Sequence, residues 1–127
     1  MTTSAMLRRR YNGDAVTTAS PNRLVVMLYD RLLKDLNTAF TAVNSGSIES
    51  AHRALLHAQD IIVELSGSLD LDMWPEGAQL KALYDYLTDR LVQANVTKDP
   101  GLVAECLEII EPLRDAFAEA ALAPELA

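Results

Sequence analysis

Apolar residues return every three or four positions along four separate stretches of this chain, and turn or cap signals stand between the stretches. That period is the helical one, so it restricts the fold to an assembly of amphipathic helices before any other property is considered. The first stretch opens at Ser20-Pro21, an N-cap residue followed by proline at the first helical position, and stops at Asn44-Ser45-Gly46. The second runs from about Ser47 to Leu69 and the third from about Glu76 to Val96, with Asp70, Asp72, Pro75 and Gly77 between them. A fourth opens at Asp99-Pro100 and is expected to end near Leu122, before Pro124. Pro112 falls inside it, where a proline loses one helical bond and clashes with the preceding turn at a cost of roughly 3 kcal/mol. A kink between Glu108 and Pro112, or a restart there, is the expectation.

Four helices of similar length with short connections favour antiparallel neighbours. The fold class is therefore all-α, an antiparallel up-down four-helix bundle. Residues 1–19 show no helical period and read as an irregular N-terminal arm, 20–123 as the bundle and 124–127 as a C-terminal tail. With 127 residues, one domain can bury a core without a staple. The single cysteine, Cys106, allows no internal disulfide and suits a reducing, cytoplasmic setting. Arg8, Arg9 and Arg10 are followed by Tyr11, Asn12, Gly13 and Asp14 rather than the apolar run of an export signal.

Charge and motif content speak against several activities. The formal net charge is -7, and from Asp99 onward seven acidic residues face only Arg114, which is the wrong balance for binding nucleic acid. A di-metal bundle site needs two Glu-x-x-His pairs, but only Glu49 with His52 exists; His57 has Ala54 at the matching position. Cys106 lies in an apolar helical stretch beside Glu105 and Glu108, surroundings that disfavour a reactive thiolate. The five glycines are scattered and form no phosphate loop. The chain thus reads as a non-enzyme with no cofactor, no metal and no membrane insertion.

The helices carry more apolar surface than one core requires. On a wheel of about 100° per residue, Val26, Leu33 and Phe40 form a heptad line along one edge of the first helix. Leu56 and Val63, in line with His52 and Gln59, form another on the second helix, away from Ile62 and Leu65. Tyr84 and Tyr86 fall on opposite flanks of the third helix, so one can serve the core and the other a surface. Such seams are core edges, a cover site for the N-terminal arm, a homodimer seam or a groove for an amphipathic helix.

The pattern Tyr11, Val16, Thr18-Ala19-Ser20-Pro21, continuing as NRLVVMLYDRLLKDL, resembles the signature of the FliS flagellar secretion chaperones. AQDIIVELSGSLDLD at 58–72, LYDYLTDRLVQAN at 83–95 and LRDAF at 113–117 are similar to that family in the same order. Phe117, where the family usually has tryptophan, the Trp74-Pro75 loop and Pro112 depart from its pattern. The resemblance implies a cytosolic export chaperone. Its client would be the disordered C-terminal segment of flagellin, kept from premature polymerisation and fit for type III secretion, with docking to the flagellar export gate. The other reading is a helical-bundle adaptor that homodimerises through its surplus seams; a weak homodimer in the free state fits either. The residues expected to contact a partner are Tyr11, Val26, Tyr29, Leu33, Phe40, Leu56, Val63, Tyr84 and Tyr86. Tyr11 matches the family's tyrosine and is the expected anchor for an arm that covers part of the groove.

Overall fold

A computed structural model describes residues 21–126 of the chain. It contains four α-helices: α1 (Pro21–Asn44), α2 (Ile48–Gly67), α3 (Gly77–Thr97) and α4 (Pro100–Leu126). α1 packs against α2 and α4, and α3 packs against the same two helices, so the four form a ring with sequence neighbours adjacent and α4 closing onto α1. The up-down bundle expected from the periodicity is the architecture observed. Expectations for residues 1–20, including the arm and Tyr11, lie outside the described residues.

Local chemistry accounts for the element ends. Gly46 ends the first turn region in left-handed backbone, φ 78°, a conformation that costs glycine little. Gly77 opens α3 because a Cβ there would meet the Trp74 ring at 2.8 Å and Leu71 at 3.2 Å; the missing side chain lets the α2–α3 loop close over the bundle end. The fourth helix departs from expectation. It runs through Pro112 and continues past Pro124 to Leu126, into the segment read as a tail. Pro112 sits on the exposed side together with Glu108, where water can take the carbonyl that the proline leaves unbonded. At Pro124 only the final turn remains, so few helical bonds are at stake.

The core draws on all four helices: Leu32 and Leu36 from α1, Leu55 and Ile62 from α2, Leu87 and Leu91 from α3, Val103 and Ile110 from α4, each at most 1 % exposed. Two polar devices are built into it. Asp35 of α1 is buried and accepts a hydrogen bond from His57 Nδ1 of α2, with Arg31 at 3.5 Å on its other side. A buried carboxylate needs such partners, and this set ties α1 to α2. Deeper in, the hydroxyls of Tyr29 and Tyr84 meet at 2.5 Å, and the Tyr29 ring lies 5.3 Å from that of Phe117.

These buried groups set the response to alkali. Burial pushes the Tyr84 phenol up to about 12 and the Cys106 thiol up to about 12, and raises the Tyr29 phenol further. In the unfolded chain the thiol loses its proton near 9 and the phenols near 10, so between those values and about 12 the folded state holds more protons than the unfolded one. Stability is therefore full below pH 9 and falls as pH rises. Helical signal followed across pH should show the loss beginning near 9, and Cys106→Ala should move its onset toward 10. An onset unchanged by that substitution would remove the thiol from the account.

Candidate functional site

Of the residues expected to touch a partner, the eight from Val26 to Tyr86 lie within the described residues, and the helix ring distributes them over several surfaces. Tyr29 and Tyr84 are a correction to the expectation, since they are 0 % and 2 % exposed. Each ring reaches the bundle centre because the other supplies the hydrogen bond that a buried hydroxyl requires. They are core, and a partner resting on the surface does not reach them.

Val26, Leu33 and Phe40 occupy the flank of α1 that turns toward α4. Asp30 fixes that direction: it accepts a 2.8 Å bond from Arg114 Nε of α4 and lies four residues after Val26 and three before Leu33. Val26 and Leu33 are half-buried, and Leu33 packs against the core; Phe40 is 37 % exposed. Leu33 is thus a core edge, while Phe40 at the end of the line is open.

Leu56 and Val63 behave differently. His52 of α2 meets Asn95 of α3, which places the α2 flank holding His52, Leu56, Gln59 and Val63 along the α3 side of the bundle. Leu56 is 43 % exposed and Val63 65 %. Two residues not named as contacts from the sequence extend this surface: Ile48, 55 % exposed, on the same flank of α2, and Val92, 44 % exposed, one turn before Asn95 on α3. Together they make a partly uncovered apolar strip along the α2–α3 seam. The signal of Ile48 was available in principle, because Ile48, His52, Leu56, Gln59 and Val63 fall within about 80° on a wheel of about 100° per residue.

Tyr86 lies on the other flank of α3, toward α4. Its ring is 43 % exposed, its hydroxyl donates to the Glu105 carboxylate, and the Arg90 guanidinium sits 5.5 Å from the ring centroid. The carboxylate holds the phenol proton and raises the Tyr86 pKa. The surface role expected of one of the two tyrosines therefore belongs to Tyr86, next to a polar cluster rather than the apolar strip.

Other chemistry-bearing side chains have structural partners. His52 faces α3 and His57 faces Asp35 of α1, so the two histidines point to opposite flanks of α2. Cys106 is fully buried with a raised pKa caused first by burial and then by Glu105. Among the described residues no group of three or more His, Cys, Asp or Glu side chains is placed to hold a metal, and no helix is long and apolar enough to cross a membrane.

The family model described as flagellar protein FliS matches residues 4–124. Among similar proteins, the flagellar secretion chaperone FliS of Bacillus subtilis (strain 168) is 37 % identical over 110 residues, covering 87 % of this chain and 82 % of its own. The flagellar secretion chaperone FliS of Escherichia coli (strain K12) is 36 % identical over 115 residues, covering 89 % of this chain and 85 % of its own. A crystal structure of a flagellar chaperone from bacteria superposes with a TM-score of 0.74 at 19 % identity, covering 88 % of this chain and 92 % of that one, a likeness of fold. With a family model spanning nearly the whole sequence and relatives above a third identical over most of their lengths, this chain belongs to the FliS family of flagellar proteins.

Proposed function

We propose that this protein is a cytoplasmic export chaperone that binds the C-terminal segment of flagellin, prevents its premature polymerisation and keeps it fit for flagellar type III secretion. The observation that carries the reading is the exposed strip of Ile48, Leu56, Val63 and Val92 on a member of this family. Uncovered apolar surface on a well-packed bundle marks a contact site, and a strip along two helices suits an amphipathic helix laid lengthwise. From Ile48 to Val63 is about 22 Å at 1.5 Å per residue, room for about four client turns.

The arrangement also suits a client that is disordered before binding. Phe40 stands on the α1–α4 side of the bundle and the strip on the α2–α3 side, and a flexible chain can follow a surface round in a way that a folded partner cannot. Holding the client in this manner keeps its apolar faces from meeting other copies. The finished complex would then present a new surface for delivery to the export gate.

Calorimetry with a flagellin C-terminal peptide tests this reading. Coupled folding and burial of apolar surface should give a markedly negative heat-capacity change together with an unfavourable ordering entropy. A heat-capacity change near zero would point to a small polar contact and exclude the mechanism.

A further inference from the structure

The apolar strip is interrupted by one polar device, the His52 ring held by Asn95 across the two helices. Lys98, which ends α3, holds left-handed backbone at φ 54°, an uncommon conformation for a residue with a side chain. From there its ammonium turns back to the Asn95 carbonyl and, at 2.9 Å, to Asn95 Oδ1. An ammonium only donates, so the oxygen of the carboxamide must be the atom that faces it. Asn95 Nδ2 then stands 3.0 Å and Oδ1 3.2 Å from His52 Nδ1, so Asn95 engages that ring nitrogen in either tautomer, donating to it from Nδ2 or accepting from it at Oδ1. Nε2 is the ring nitrogen left over, and it has no hydrogen-bond partner among the described residues.

In the free protein Nε2 of the exposed His52 is open to water. A helix seated on the strip takes that water away, because His52 lies one turn from Ile48 on one side and one turn from Leu56 on the other. A covered ring nitrogen without a partner is penalised, so the seated helix must bring one. Glu49, the neighbouring acidic residue on α2, is already paired with Arg53 of the same helix. A single polar position in an otherwise apolar helix seam fixes register in coiled coils, at some cost in affinity.

Resting on the client reading of the strip, we infer that His52 sets the register of the client helix. The client carries one polar side chain that can both donate and accept, Asn, Gln, Ser or Thr, among the apolar residues of its contact face, and this group hydrogen-bonds with Nε2 of His52. Asn95, itself held by Lys98, acts through His52 as a positioning residue, since it engages Nδ1 and leaves Nε2 for the client.

The test is a coupling scan. A flagellin C-terminal peptide is titrated into the full-length protein with each polar peptide residue changed in turn to Leu, and the series is repeated with His52→Leu and His52→Gln. One peptide position should stand out: its change to Leu weakens binding to the wild type by about tenfold, the loss expected for one covered polar group without a partner. The loss should disappear with His52→Leu and persist with His52→Gln, which keeps both a donor and an acceptor. His52 is exposed, and the thermal midpoint of each variant verifies its folding. If every position gives the same fold-change with wild type and His52→Leu, the register role is overturned while the client reading stands, provided that Val63→Asp still weakens binding. Undiminished binding by Val63→Asp would overturn the strip as the client site and the register role with it.

Discussion

Replacing Tyr84 by Ala should lower the unfolding free energy by roughly 3–5 kcal/mol, the range for emptying a large buried aromatic site. A domain of this kind has about 5–15 kcal/mol in total, so much of the population would unfold on mild warming. The milder series is more informative. Tyr84→Phe or Tyr29→Phe leaves the opposite hydroxyl buried with its partner gone, since the two oxygens stand 2.5 Å apart in the core. Each should cost about 1–3 kcal/mol. The double change to Phe removes both polar atoms together and should be more stable than either single variant, because no group is then left unpaired. Urea unfolding followed by helical signal measures all four proteins. If the single Phe variants kept full stability but lost affinity for a flagellin peptide, Tyr29 and Tyr84 would be contact residues after all, as their sequence positions first suggested.

The largest effect on binding is expected from Leu56→Asp combined with Val63→Asp. Both side chains are exposed in the free protein, at 43 % and 65 %, so the folded state loses little when they change, about 0.5 kcal/mol at each site. In the complex the same positions would force two carboxylates under an apolar client helix, where an unpaired charge is strongly disfavoured. Affinity for the peptide should fall by about a hundredfold or more, with the melting temperature moving only a few degrees. Leu33→Asp makes the contrast. Leu33 is half-buried against the core, so the loss should appear first in stability, and weaker binding would follow only from the unfolded fraction. Equal binding by the Leu56/Val63 variant and the wild type would rule out the α2–α3 strip.

How much of this was legible in the chain itself can be argued element by element. The starts of α1 and α4 at Pro21 and Pro100, the stop at Gly46 and the inward phase of Leu32, Leu36, Leu55, Leu87 and Ile110 follow from interactions within a turn or two of helix. Such interactions are local, so the sequence determines them, and with them the bundle class. A wheel gives the angle of each residue on its own helix but not which neighbour covers that angle. Leu33 became a core edge because α4 closes the ring beside α1, whereas Leu56 and Val63 stayed open along α3. Tyr29 is buried because a second hydroxyl, 55 positions later in the chain, arrives opposite its own. The passage of α4 through Pro112 likewise depended on that residue facing water. Only the assembled bundle brings His52 against Asn95 in the strip, because which polar atoms meet there is decided between two helices.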